Sequence, residues 1–172
     1  MEKIRVGMSS CLMGINVRYD GGHKLDSSLI DTLEHYFKLI PICPEVECGL
    51  GIPRKPMLLE DNQGSSRLII IETEEDVTEL VIDWALKRVV QLEKENIRGF
   101  IFKSDSPSCG VRNVKVYNKN GVSDTDGVGI FSGMLIKHFP SLLVEDELNL
   151  KNYFLREDFI KKIFASKKSP VR

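Results

Sequence analysis

Short apolar runs alternate along the chain with longer segments in which apolar residues recur at helical spacing. Five runs have the length and composition of buried strands: 4–9, 38–42, 67–71, 99–103 and 142–144. Four segments predict helices: 28–37, 77–95, 127–138 and 156–165. This alternation predicts an α/β fold, with an open, mostly parallel sheet between two layers of helices in a three-layer, Rossmann-like domain.

Turn residues mark the connections between these segments. The stretch 44–64 contains several Gly and Pro residues and predicts a long loop that forms part of a functional site. The dipeptide Asn120-Gly121 predicts a hairpin turn between short strands at 114–117 and 121–123. Asp126 is expected to cap the helix that follows it.

Length and charge restrict the classes of function. The 172 residues, 42% of them hydrophobic, suffice for one core and predict one domain. With 24 basic and 25 acidic residues, no excess of positive charge favours nucleic acid or membrane as a partner, so a small ligand is expected. Residues 1–5 lack the apolar core of a signal peptide, and no apolar run is long enough to span a membrane, which predicts a cytoplasmic location.

Three of the four cysteines stand alone, each just beyond a predicted strand: Cys11, Cys43 and Cys109. In a reducing cytoplasm, cysteines favour metal binding or thiol chemistry over stable disulfides. Ligand sites of open α/β sheets lie beyond the carboxyl ends of the strands, so these three residues are expected to meet.

The cysteine spacing is compatible with more than one metal. A structural zinc site normally uses four ligands in short-spaced pairs, and only Cys43 and Cys48 are close in sequence, so a four-cysteine zinc site stays an alternative. An iron–sulfur cubane held by three cysteines would leave one iron without a protein ligand. Glu45 is then a candidate base for activating water, or a carboxylate that only braces the loop.

A third interpretation is a thiol phosphatase, because Cys48 and Arg54 have the Cys-x5-Arg spacing of that class. Pro53 and Pro56 oppose it, since the first removes an N–H that a phosphate loop needs and the second disfavours a helix start. Arg18 could hold a phosphate or a pyrimidine edge, or pair with a neighbouring aspartate instead.

Five blocks of sequence, taken together, resemble the TudS thiouracil desulfidase family. They occur in order between residues 4 and 147: Ser10-Cys11-Leu12-Met13-Gly14, Arg18-Tyr19-Asp20-Gly21, Cys43-Pro44-Glu45-Val46, Gly49-Leu50 with Pro53-Arg54, and Ser106-Pro107-Ser108-Cys109-Gly110. The resemblance predicts a desulfidase domain over 1–149, followed by a C-terminal helix and tail over 150–172.

The resemblance implies a [4Fe-4S] cluster bound by Cys11, Cys43 and Cys109, with its fourth iron accepting the sulfur of a thiocarbonyl group. It further implies catalytic roles for Glu45 and Ser106 in converting a thiouracil-type base or nucleotide to its uracil counterpart without redox chemistry. Arg18 and Ser108 are then expected to contact this thiopyrimidine.

Cys48 departs from the family pattern, which generally has a small residue at this position. It could be an idle thiol, or it could supply a fourth ligand and close the metal site. The second case describes a non-catalytic metal-binding module, holding zinc or a closed iron–sulfur cluster.

Overall fold

The computed structural model describes residues 2–118 and 120–166, apart from the side chains of Val122 and Ser123. These ranges form two four-stranded sheets and six α-helices. Within them, no helix combines the length and apolar character needed to cross a membrane.

The elements follow one another in the order β1 (Ile4–Ser9), a 3-10 turn (Ser10–Met13), α1 (Ser27–Tyr36), β2 (Phe37–Ile42), α2 (Pro44–Glu47), β3 (Met57–Asn62), β4 (Ser65–Ile70), α3 (Thr78–Lys94), β5 (Gly99–Phe102), β6 (Val114–Asn118), β7 (Gly121–Gly127), α4 (Ile130–His138), β8 (Leu143–Asp146), α5 (Glu147–Leu150) and α6 (Tyr153–Ser166).

The first sheet has the order β2-β1-β5-β8, and all of its strands are parallel. This arrangement confirms the prediction of an open, parallel α/β sheet. The central strands approach closely at Gly7, where a Cβ atom would collide with the ring of Phe100. The carboxyl ends of β1, β2 and β5 therefore lie side by side at one edge of the sheet.

Two apolar layers sandwich this sheet. Alternate residues of the strands point to opposite faces, so Ile101 packs on one side and Phe100 and Phe102 on the other. Helices α1 and α6 cover the first face, and α3 and α4 cover the second. Each fully buried Phe contributes about 1.5–3 kcal/mol through removal of its side chain from water.

The second sheet has the order β4-β3-β6-β7 and combines antiparallel hairpins with one parallel pair. The prediction of a structureless loop over 44–64 is wrong, because this stretch contains α2 and β3. Gln63 and Gly64 adopt positive φ angles of 54° and 90°, and this turn lets β3 fold back onto β4.

The hairpin predicted at Asn120-Gly121 is confirmed, since β6 and β7 pair in antiparallel fashion. The cap predicted at Asp126 is wrong, because Asp126 lies in β7 and α4 begins only at Ile130. The start of α4 is fixed by tertiary contacts instead: the N–H groups of Phe131 and Ser132 donate to the carbonyl of Ser108, at 2.9 and 3.3 Å.

Helix α6 is part of the core although it follows the segment that carries the sequence blocks. Its residues Phe159 and Ile163 pack against β5 at Gly99, where a side chain larger than hydrogen would collide with Ile163. The predicted helix 156–165 lies within the observed bounds of α6. The predicted tail beyond residue 166 lies outside the described residues.

Candidate active site

A cavity of about 430 Å³ lies beyond the carboxyl ends of the parallel strands, where the sequence predicted a ligand site. Cys11, Cys43 and Cys109 all line it, although they are far apart in sequence. They reach the cavity from the segments that follow β1, β2 and β5 respectively. None of the three is in a disulfide.

Local backbone structure fixes the first two cysteines. Cys11 lies in the 3-10 turn after β1, which ends at Gly14 in the left-handed conformation (φ 80°), and its carbonyl accepts the N–H of Lys24 at 2.8 Å. Cys43 is the N-cap of α2 and is followed by Pro44 at the first helical position, where a missing N–H costs nothing.

The third cysteine lies in a tight turn that is closed by two hydrogen bonds. The N–H of Gly110 donates to the carbonyl of Ser106 at 2.8 Å, and the N–H of Cys109 donates to the Ser106 hydroxyl at 3.1 Å. The turn rests on Gly129, where a Cβ atom would lie 2.6 Å from the carbonyl carbon of Ser108. The start of α4 thus supports the Cys109 turn directly.

Burial keeps these thiols protonated in the absence of a cation. Burial, and secondly the negative charge of Glu45, raise the pKa of Cys11 to about 11, and the same two causes raise the pKa values of Cys43 and Cys109 above the ordinary value of a thiol. A bound metal reverses this preference, because thiolates are the form that ligates metal and binding releases the protons.

The donor set fits an iron–sulfur cluster. Three thiols face one cavity, and iron–sulfur clusters are bound through cysteine thiolates. Within 2–118 and 120–166, no three His, Cys, Asp or Glu residues are grouped closely enough to hold a single metal ion.

Glu45 is the carboxylate closest to these thiols in the hydrogen-bond network. It is only 8% exposed; one oxygen accepts the hydroxyl of Ser108, and the other accepts the thiol of Cys43 at 3.2 Å. The guanidinium of Arg54 lies 3.8 Å from the second oxygen. The carboxylate is thus held in a fixed orientation between a thiol, a hydroxyl and a cation.

The two serines of the Cys109 turn have different environments. Ser106 lines the cavity, and its hydroxyl oxygen lies 3.1 Å from that of Ser108. Ser108 is fully buried and does not line the cavity. Ser108 therefore has no direct contact with the cavity, and it affects the cavity only through its hydrogen bonds to Ser106 and Glu45.

Arg18, the other expected substrate contact, lines the cavity. Its Nε atom lies 3.7 Å from a carboxylate oxygen of Asp20, and its guanidinium is stacked 5.3 Å from the ring centre of Tyr19. The contacts with Asp20 and Tyr19 hold the Arg18 side chain in place at the wall of the cavity.

The cavity also contains two cations, Arg54 and Lys103, that the sequence did not assign to the desulfidase site. Arg54 is held by the carbonyls of Val17 and Gly51, at 2.9 and 3.1 Å. Lys103 directs its ammonium to the carbonyl and hydroxyl of Ser104 and to Glu147. Its place directly after β5 was the available signal, because residues following buried parallel strands converge at this edge.

Cys48 lies outside this arrangement. It does not line the cavity; its thiol donates to the carbonyl of Glu45 at 3.3 Å, and the side chain packs against the core of the second sheet. The Cys-x5-Arg spacing likewise does not bring Arg54 to Cys48, since that guanidinium is directed to Val17, Gly51 and Glu45.

Comparison with protein-family models matches residues 6–147 to 2-thiouracil desulfurase. The chain belongs to the 2-thiouracil desulfurase family. This membership confirms the resemblance seen in the sequence and, with it, the expectation of a desulfidase enzyme.

Two relatives match this desulfurase chain over nearly their whole length. YbbK of Bacillus subtilis (strain 168) is 33% identical over 147 residues, which are 83% of this chain and 96% of YbbK. The solved structure of the [4Fe-4S]-dependent thiouracil desulfidase TudS matches with a TM-score of 0.69 and 32% identity, over 92% of this chain and 99% of that one.

Proposed function

We propose that this desulfidase uses a [4Fe-4S] cluster to convert a thiouracil-type base or nucleotide to its uracil counterpart. The observation that carries the proposal is the convergence of Cys11, Cys43 and Cys109 on one cavity beside the buried carboxylate of Glu45. Membership in the 2-thiouracil desulfurase family and the similarity to TudS support it.

Cys11, Cys43 and Cys109 would hold the cluster through their thiolates. When bound, the cluster supplies an iron without a protein ligand, a Lewis acid to which a thiocarbonyl sulfur can bind. Cys48 is not required in this arrangement, because its side chain is directed away from the cavity and into the second sheet.

Glu45 is the base in the proposed reaction. Its carboxylate takes a proton from water, and the water oxygen attacks the thiolated carbon of the ring. The carbon–sulfur bond breaks, and the sulfur leaves as sulfide, so that no electron is gained or lost overall. The Ser108 hydroxyl holds one carboxylate oxygen during this step.

Ser106 and Arg18 would orient the substrate from the cavity wall. The Ser106 hydroxyl lines the cavity and accepts the N–H of Cys109. Because Ser108 donates its proton to Glu45, Ser106 is the donor in the Ser106–Ser108 pair, and it would turn this proton to an acceptor on the ring when substrate binds. The Arg18 guanidinium would contact a carbonyl edge or a phosphate of the substrate.

The wider assignments are consistent with this chemistry. The near balance of 24 basic and 25 acidic residues supports a small thiopyrimidine as the partner, without a nucleic-acid polymer or a membrane. We also propose a cytoplasmic location, where reducing conditions keep the cysteines available as metal ligands. The end of the family match at residue 147 supports a desulfidase domain over 1–149, followed by a C-terminal segment over 150–172 whose helix α6 packs against that domain.

Anaerobic reconstitution with iron and sulfide tests the ligand set. We expect wild-type protein and Cys48→Ala to bind equal amounts of iron and to show the same visible absorption, whereas Cys109→Ala does not assemble the normal cluster. If Cys48→Ala loses iron as completely as Cys109→Ala, a closed, non-catalytic metal module replaces the desulfidase site.

A further inference from the structure

The backbone at Cys43 is held by a carboxylate from the far end of the same short helix. The N–H of Cys43 donates to Oε1 of Glu47 at 3.1 Å. The Cys43 side chain provides no cap for α2, so Glu47 acts in the manner of a capping box, reaching back to the N-cap N–H. This bond fixes the peptide from which the Cys43 thiol projects.

Glu47 is in turn held by a residue of another helix. The Nε atom of Arg88, on α3, lies 3.3 Å from Oε2 of Glu47. The Arg88 side chain is 13% exposed, and Nη1 is anchored on its other side by Gln91 at 3.3 Å and Glu95 at 2.8 Å. Arg88 therefore links the rigid helix α3 to the short helix that carries Cys43 and Glu45.

We propose that the Arg88–Glu47 ion pair is a positioning device for Cys43, which slows loss of the cofactor by holding the backbone of this ligand in place. The proposal rests on the proposed function, because it takes Cys43 to be a ligand. Neither residue lines the cavity, so the effect passes through the Cys43 backbone and requires no contact with substrate.

The magnitude follows from the position of the pair. An exposed ion pair contributes little to stability, but Arg88 is largely withdrawn from water and is anchored at two points. Groups that orient a metal ligand from behind typically change metal affinity about 10-fold to 100-fold when they are removed. A four-residue helix is little more than one turn and is not stable by itself, so its geometry depends on bonds to its surroundings.

The test is the rate at which EDTA removes iron from the anaerobically reconstituted protein. We expect Arg88→Met and Glu47→Gln each to release iron about 10-fold faster than wild type. The double variant should be no faster than either single variant, because both substitutions break the same link. Arg88→Lys, which retains a cation beside Glu47, should release iron more slowly than Arg88→Met.

Glu93→Gln is the matched control, since it removes a carboxylate from the same helix whose ion-pair partner is His138 and not Arg88; we expect wild-type release. Iron release is followed far below the melting temperature of every iron-free variant, so that general unfolding does not contribute to it. Wild-type release by Arg88→Met, or multiplied effects in the double variant, would overturn the inference. Failure of the wild-type protein to assemble a cluster would instead overturn the proposed function.

Discussion

Replacing Glu147 by glutamine is predicted to destabilise the fold by about 3 kcal/mol at pH 7. Glu147 is the first residue of α5, and its side chain is only 6% exposed. It accepts the ammonium of Lys103 at 2.5 Å and both the N–H and hydroxyl of Ser104 at 2.7 Å. These three bonds join the C-terminal part of the chain to the segment that leads into the Cys109 turn.

The size of this effect comes from burial. Breaking a buried pair typically costs about 3–5 kcal/mol, because the remaining charge has no partner. The Lys103 side chain retains 18% exposure and some hydration, so the lower end applies. For a chain of this length, about 3 kcal/mol corresponds to a fall of roughly 6–12 °C in Tm.

The same contacts make the contribution depend on pH. Burial alone would raise the pKa of Glu147, but the Lys103 ammonium and the donors of Ser104 outweigh it and hold the pKa below its ordinary value of 4.5. Because the pKa is depressed in the folded state, the stabilisation is complete above pH 4.5 and is lost as the pH falls through the folded pKa.

Thermal and urea unfolding of the iron-free protein measures this effect. The matched control is Glu72→Gln, because the Lys55–Glu72 pair has the same 2.5 Å separation but side chains that are 56% and 62% exposed. We expect the control to change stability by at most about 1 kcal/mol. Equal losses in the two variants, or a Glu147→Gln deficit that grows below pH 4, would refute the argument from burial.

Three further predictions concern the site. Glu45→Gln should retain wild-type iron and visible absorption while turnover falls about 100-fold, as for loss of a general base; normal turnover would remove Glu45 from the mechanism. Ser108→Ala loses a hydrogen bond to a carboxylate worth about 1.5–3 kcal/mol, so we expect kcat to fall roughly 10-fold to 100-fold at unchanged iron content. In iron-free protein, alkylation of Cys11 by iodoacetamide, followed by mass spectrometry, should accelerate about tenfold per pH unit between ~pH 8 and ~pH 10, because its pKa is about 11 and only the thiolate reacts; a rate that levels off below ~pH 9 would contradict the burial argument.

The parallel sheet could be predicted because its two central strands, β1 and β5, are buried on both faces. The sequence predicted strands at 4–9 and 99–103, close to the observed β1 and β5, and the cysteines that follow them could be placed at one edge of the sheet. The strand β3 could not be found in this way, since its second half, Glu60-Asp61-Asn62, is polar. Its pairing with β4 depends on the turn at Gln63-Gly64, a signal that the sequence analysis did not use.

The missed details of the site depend on contacts between distant parts of the chain. The start of α4 is set by the carbonyl of Ser108 and not by a local cap, so Asp126 was chosen wrongly. The burial of Ser108 behind Glu45 joins segments 63 residues apart in sequence. Likewise, nothing near Lys103 in the sequence indicates that Glu147 will be its partner.

The central claim is tested most directly by following a thiouracil nucleotide with anaerobically reconstituted protein and measuring the uracil product and the sulfide together. The account predicts equal amounts of product and sulfide, formed over many turnovers without an added reductant or oxidant, and no conversion by iron-free protein or Cys109→Ala. Protein that carries its full complement of iron and converts no thiouracil compound, or iron-free protein that converts it equally fast, would contradict the account.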